Sequence, residues 1–249
     1  MVGVISAVIA VLGAAVTAVL TYRLQTQARS RDRLDYMSRY RDALLWAAFD
    51  LQSRLFNILH GFEIDRRPGR QGFTSAYLLE GTERQALYVR RSTAFLFAEY
   101  LGWVEVFRRD IQFLDLGKNE VNRQIMLALT TISRTIATST PPDTACFMIF
   151  RTDQRALGEL MIEPDSKPGE RGCLGYAAFC AKLTDDEAFA KWGHELLDHV
   201  EQAARHPGLA QGRLTKLQHQ LIDLIDLLDP EGGRFPAAQR SYFEAAGPG

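Results

Sequence analysis

The sequence predicts an all-α protein in which an N-terminal transmembrane helix continues into a cytosolic bundle of several helices. A run of 21 residues near the N-terminus contains neither charge nor proline, and apolar residues recur at helical spacing through most of the remaining chain. No glycine or proline interrupts residues 23–60. With 47% hydrophobic and 24% charged residues, the composition excludes a disordered or fibrous chain.

The formal net charge of −1 hides three unlike segments. Residues 2–22 carry no charge, residues 23–41 carry six arginines and two aspartates, and residues 42–249 carry a net charge of −5. This near balance excludes a strongly basic nucleic-acid coat, so no duplex nucleic acid is expected as a partner. The asymmetry instead predicts a membrane anchor followed by a basic collar.

Residues 1–22 are predicted to form the anchor, because an apolar helix of 21 residues spans a hydrocarbon core of about 30 Å. A cleavable signal peptide and a buried core helix are the alternatives. The arginines on the C-terminal flank predict a single-pass protein of a bacterial inner (plasma) membrane, with its N-terminus outside and its remaining chain in the cytoplasm. The lipid bilayer is therefore an expected partner.

Small residues recur at every fourth position of this span, at Ser6, Ala10, Ala14 and Ala18. Such a stripe lets helices approach closely in lipid. It predicts a homo-oligomer, although an alanine-rich composition alone would produce the same pattern.

Residues 23–60 are predicted to form the juxtamembrane segment and the first bundle helix. Steps of three and four residues, with seven of the eight positions apolar, connect Leu34, Met37, Arg41, Leu44, Ala48, Leu51, Leu55 and Ile58. This spacing is typical of a helix that packs inside a bundle. A loop is expected from Gly61 to Gly81.

The rest of the cytosolic domain is predicted to cover residues 61–230. Thr82 and Gln85 form a capping-box pattern that begins a helix ending near Gly117. A further helix is expected at about residues 119–139, and the two prolines that follow mark a potential sub-boundary near residue 140.

The second half of this domain is also predicted to be helical. Residues 146–150 fit either a short strand or the first turn of a helix reaching Ile162, and the helix is favoured. After a loop at 163–172, helices are expected at 174–183, at 184–205 with Thr184 and Glu187 as its cap, and at about 209–229. Residues 231–249 are predicted to be a loose tail.

Several polar patterns are candidates for binding sites. His194 and Asp198 lie four residues apart on a predicted helix and could hold a metal with outside ligands, but His199 stands at the fifth position and breaks the zinc-protease pattern. An ordinary solvent-exposed helix face would contain the same residues, so no metal or other cofactor is predicted. Asp229, at a helix C-terminus that disfavours negative charge, predicts a basic partner nearby.

Arginine outnumbers lysine by 24 to 5, and several arginines are clustered: Arg66, Arg67, Arg70, Arg90, Arg91, Arg108, Arg109 and, in the loop at 163–172, Arg171. Guanidinium groups that converge would bind a nucleotide or another anion, and backbone N–H groups of that loop could do the same. Acidic residues are interleaved with these arginines, however, and this interleaving favours ion pairs on helix surfaces.

Three blocks of the sequence resemble uncharacterised actinobacterial single-pass membrane proteins: residues 41–59, 100–105 and 110–116. The resemblance implies an N-terminal span and a helical cytosolic body. It implies no activity and no functional residue.

No catalytic motif is present, so we predict a membrane-anchored helical protein that acts through oligomerisation or protein interaction. One alternative is a ligand-gated membrane effector of the defence type, whose arginine-rich domain senses a nucleotide or another anionic small ligand. A membrane-tethered metal-dependent enzyme is the other alternative. These interpretations differ in what the cytosolic domain binds: a partner protein, an anion or a metal.

Overall fold

The computed structural model describes residues 17, 20–25, 40–59, 73–111, 120–139 and 146–244. Eight α-helices follow residues 20–25: α1 (40–59), α2 (Phe73–Glu80), α3 (Glu83–Ile111), α4 (Glu120–Ala137), α5 (Arg151–Met161), α6 (Tyr176–Asp185), α7 (Glu187–Arg205) and α8 (Pro207–Leu228). Within these ranges no β-strand occurs, and the one β-bridge joins Ile162 to Cys173. The predicted all-α class is therefore confirmed.

The chain divides into two compact units, residues 1–41 and residues 42–249. Most of the predicted span, including Ser6, Ala10, Ala14 and Ala18, lies outside the described residues. Among the residues that are described, no helix combines the length and the apolar character needed to cross a bilayer.

Helix α1 packs through the predicted seam, since Leu44, Ala48, Leu51 and Leu55 are buried. The predicted loop before Gly81 is wrong in its second half, because residues 73–80 form α2. The capping box that follows is confirmed: the Gln85 carboxamide oxygen accepts from the Thr82 backbone N–H at 2.8 Å, and the Thr82 hydroxyl accepts from the Gln85 N–H at 3.3 Å.

Three other predictions are corrected. Residues 146–150 are not helical, and α5 begins only at Arg151. Helix α7 is capped by Asp186, whose carboxylate accepts from the Phe189 N–H at 3.0 Å, whereas the Thr184 hydroxyl donates to the Cys180 carbonyl in α6. The tail is not loose over residues 231–244, because Phe235 and Phe243 are buried.

This tail is held by side chains of α1 and α8. The Gln218 carboxamide donates to the Ser241 carbonyl at 2.9 Å and accepts from the Phe243 N–H at 3.0 Å. The Phe235 ring stacks on Phe49 with a centroid distance of 3.7 Å. Arg240 pairs with Asp229, which confirms the predicted basic partner at the end of the last helix.

The end of α4 is closed by a buried arginine of α8. Arg213, only 1% exposed, donates to the carbonyl oxygens of Thr135, Ile136 and Thr138 at 2.7–2.9 Å. These carbonyls belong to the last turn of α4 and its continuation, where no further helical N–H is available. The guanidinium therefore satisfies the helix terminus and joins α8 to α4.

Candidate ligand-binding site

A cavity of about 240 Å³ lies between α3, α4 and α5. Its apolar walls are formed by Leu101, Val104, Phe107, Met126, Leu129 and Ile136. Three arginines and one glutamate also line it: Arg108, Arg151, Arg155 and Glu105. We call this space the α3–α5 cavity.

Two glycines set the distance between the helices that form the cavity. A Cβ atom on Gly158 of α5 would lie 2.6 Å from the Leu101 carbonyl oxygen and 2.8 Å from the Glu105 Cβ of α3. A Cβ atom on Gly102 of α3 would lie 2.8 Å from the Met161 Cβ. Only glycine therefore allows α5 to approach the α3 backbone this closely, and this approach brings Arg155 to within 4.0 Å of Glu105.

Most neutral polar groups that line the cavity are already bonded within the protein, whereas the buried hydroxyl of Tyr100, which also lines it, has no hydrogen-bond partner among the described residues. The Gln154 amide donates to the carbonyl oxygens of Ser133 and Ile149 at 3.0 and 2.8 Å, and its carbonyl oxygen accepts from the Ser133 hydroxyl at 2.8 Å. The Thr130 hydroxyl donates to the Met126 carbonyl at 2.8 Å. The bonds of Gln154 tie α5 to α4, and the arginines remain the main donors for a ligand.

Glu105 is the one carboxylate of the cavity, and its side chain is only 2% exposed. It accepts from Arg108 at 2.5 and 2.7 Å and from Arg109 at 2.6 Å. Burial by itself would raise the pKa of Glu105, but the hydrogen bonds and charges of the two arginines outweigh it, so this pKa lies below its ordinary value. Glu105 is therefore ionised at neutral pH and compensates about one positive charge.

The remaining positive charge of the cavity faces solvent. Arg155 is 56% exposed, and Arg151, one helical turn earlier, is exposed as well. No ion pair of Arg151 is found in the part of the chain that the structure describes. Arg151 also begins α5, whose N-cap residue Phe150 supplies no side-chain hydrogen bond. The dipole of α5 and the two guanidinium groups therefore all favour an anion at this side.

The arginines predicted from sequence clusters do not converge in one place. Arg66, Arg67 and Arg70 lie outside the described residues. Arg90 of α3 pairs with Glu201 of α7. Arg108 and Arg109 share Glu105, and Arg109 also reaches Glu159 at 2.5 Å. Arg91 is half-buried on α3. The described members thus take part mainly in ion pairs between and along helices, as the interleaved acids indicated.

A second cavity, of about 270 Å³, contains Arg90 together with Leu79 and Leu87. Its other charged lining residues are Arg205, Glu83 and Glu201, so two acids balance two bases. This balance distinguishes it from the α3–α5 cavity, where three arginines face one glutamate.

The loop at 163–172 does bind a negative group, but that group belongs to the protein. The buried Asp110 carboxylate of α3 accepts from the Gly169 N–H at 3.2 Å and pairs with Arg171. An internal carboxylate thus occupies the place of the anion that this loop could hold, and it joins the loop to α3.

His194 and Asp198 are both exposed on α7. His199, the nearby residue that breaks the zinc-protease pattern, lies against the Phe147 ring at 5.8 Å, and burial lowers its pKa. The described residues contain no group of three or more His, Cys, Asp or Glu side chains that could hold a metal ion.

Sequence reasoning missed Arg151, Arg155 and the two glycines. The available signal was the spacing of two arginines four residues apart just after the extended segment at 146–150. The adjacent arginine pairs are more prominent in the sequence, but the pair Arg108 and Arg109 converges on Glu105 of its own helix.

No protein-family model matches the chain, and neither a curated protein nor a solved structure matches it.

Proposed function

We propose that the chain is a membrane-anchored protein whose helical cytosolic domain binds an anionic ligand in the α3–α5 cavity and acts through protein interaction. The observation that carries this proposal is the charge of the cavity, where Arg108, Arg151 and Arg155 face the single carboxylate of Glu105. A ligand with one or two negative charges would complete that balance.

The sequence supports the membrane part of the proposal. The charge-free residues 2–22 and the arginines of residues 23–41 favour a single span in the inner membrane, with the cytosolic domain on the arginine side. The small residues of the span favour association of several copies. Ligand binding at the cavity would then act on α3, α4 and α5 of each copy.

The cavity is placed where a ligand could change helix packing. It is bounded by α3 and α5, which are in close backbone contact, and by α4, which joins them through Gln154 and Ser133. An occupant would bridge α4 to the α3–α5 pair and stabilise one arrangement of the three helices. This is the property that a ligand-gated effector requires.

The test compares two small probes that differ in charge. The full chain in a non-ionic detergent is heated with naphthalene sulfonate or with neutral naphthyl methanol, and unfolding is followed by far-ultraviolet circular dichroism. At about ten times Kd a ligand stabilises by about 1.4 kcal/mol, which raises Tm by about 3–6 °C. We expect this shift for the sulfonate only.

Two charge variants complete the test. The double variant R151Q/R155Q should lose the shift, whereas R84Q/K191Q, which also removes two exposed positive charges, should retain it. An equal shift for both probes, or a shift that survives in R151Q/R155Q, would refute anion binding at this cavity.

Oligomerisation through the span is tested separately by the size of the particle in mild detergent. We expect an oligomer that dissociates when Ala10 and Ala14 are both replaced by Leu. A monomer that is unchanged by the double substitution would exclude this part of the proposal.

A further inference from the structure

We infer that the ligand of the α3–α5 cavity is a single-chain anionic amphiphile, with its hydrocarbon chain between α3, α4 and α5 and its carboxylate or phosphate head at Arg151 and Arg155. This inference rests on the proposed function and narrows its ligand to one chemical class. Three features of the cavity carry it: its walls, its charges and its size.

The walls require an apolar buried part. Side chains of Val104, Phe107 and Leu129 meet the cavity, and the amide of Gln154 and the hydroxyls of Ser133 and Thr130 are committed to protein partners. The one unpartnered neutral group is the Tyr100 hydroxyl, so a nucleobase or a sugar would bury most of its polar groups here without partners, at a cost in binding affinity. A hydrocarbon chain has no such cost.

The charges require an anionic end at the solvent side. Arg151 and Arg155 are exposed and lie four residues apart on α5, so their side chains project from the same face of the helix. Guanidinium groups bind carboxylate and phosphate through two parallel hydrogen bonds. The more buried Arg108 is held by Glu105. The head group is therefore expected at Arg151 and Arg155, with the chain directed inward.

The size fits a single chain. Pockets that enclose a drug-sized ligand measure about 300–1,000 Å³, and this cavity measures about 240 Å³. A phospholipid with two acyl chains exceeds this volume. A chain that fills the cavity gains affinity with each buried methylene, by about fourfold per group.

The experiment uses the full chain in a non-ionic detergent. It is titrated with hexanoate, octanoate, decanoate and dodecanoate, and bound ligand is counted by native mass spectrometry. Alkyltrimethylammonium ions of the same chain lengths are the charge control. We expect one carboxylate per chain, an affinity that rises about fourfold per methylene until the cavity is full, and no saturable binding of the cations.

The variants locate the site. Carboxylate binding should weaken at least tenfold in R151Q/R155Q and stay unchanged in R84Q/K191Q. The larger side chain of V104F should reduce the chain length at which affinity stops rising, a readout that a general loss of surface charge would not produce. Affinity that is independent of chain length, equal binding of cations, or full binding to R151Q/R155Q would overturn the inference.

Two further arms separate this inference from the proposed function and from a bilayer source. Adenosine monophosphate in place of the carboxylates tests a compact anion, and phosphatidylglycerol tests a two-chain lipid. If either binds through Arg151 and Arg155 while the carboxylates do not, the inference is wrong and anion binding stands. If none of these anions binds and the naphthalene sulfonate shift is absent, the proposed function itself is wrong.

Discussion

Replacing Glu99 by glutamine should stabilise the helical domain at alkaline pH and leave it unchanged in acid. Glu99 lies half-buried on α3, and its pKa is raised to about 7 by burial and by the neighbouring carboxylate of Asp50 on α1. The folded protein therefore holds this proton more tightly than the unfolded chain, in which the pKa is the ordinary 4.5. Stability is lost as pH rises through this window, because ionised Glu99 is disfavoured only in the folded state.

The magnitude follows from the two pKa values. A rise from 4.5 to about 7 corresponds to about 3 kcal/mol, at about 1.4 kcal/mol for each tenfold change in the proton equilibrium. Because Glu99 is only partly buried, solvent screening reduces this value, and we expect about 1–2 kcal/mol. The E99Q variant should match the wild type near pH 4.5 and exceed its stability by this amount at pH 8.

The assay is urea unfolding followed by circular dichroism at intervals between pH 4.5 and pH 8. The exposed Glu83 at the start of the same helix provides the control variant E83Q, which should show no comparable gain as pH rises. A constant difference between E99Q and wild type across this range would refute the reasoning, as would a difference that shrinks toward pH 8.

Three further substitutions test the packing. Replacing Arg213 by Met should cost about 2–4 kcal/mol in urea unfolding, because the carbonyl oxygens of Thr135 and Thr138 lose their donor and that of Ile136 keeps only the Ile149 N–H; a cost below about 1 kcal/mol would contradict this account. Gly158→Ala should lower Tm by several degrees because the added methyl meets the α3 backbone, whereas Gly208→Ala, at a helical position with open space, should raise it slightly. Phe235→Ala should lower the free energy of unfolding by about 3–5 kcal/mol. An unchanged free energy would instead support the sequence prediction of a loose tail.

Most of the helices could be predicted because their signals are local. The buried seam of α1 and the capping box of Thr82 and Gln85 depend on residues within a few positions of each other. The start of α7 shows the limit of such signals, since Thr184 and Asp186 both suit an N-cap. The start of α5 was ambiguous for the same reason. Apolar spacing alone could not distinguish a strand from a helix in residues 146–150, and the helix begins only at Arg151.

The tail and the arginine partners depend on contacts between distant residues. Phe235 and Phe243 stand among glycine, proline and polar residues, so composition predicts no structure for them. They are nevertheless buried, because Gln218 of α8 binds the backbone of the tail and Phe49 of α1 receives the Phe235 ring. Arg213 is likewise a charged residue on a buried helix position, and its hydrogen-bond partners lie at the end of α4, about 75 residues earlier in the sequence.

The cavity shows why the site was the least predictable part. Its existence depends on two glycines inside helices, where glycine ordinarily costs about 1 kcal/mol relative to alanine. At Gly102 and Gly158 the missing side chain allows α3 and α5 to touch, and this contact covers Glu105, which holds Arg108 and Arg109 one turn further along α3. Because Glu105 already holds those two clustered arginines, the charge available to a ligand falls to Arg151 and Arg155. The clusters that are most prominent in the sequence therefore contribute to the fold, and two less prominent arginines are the stronger candidates for function.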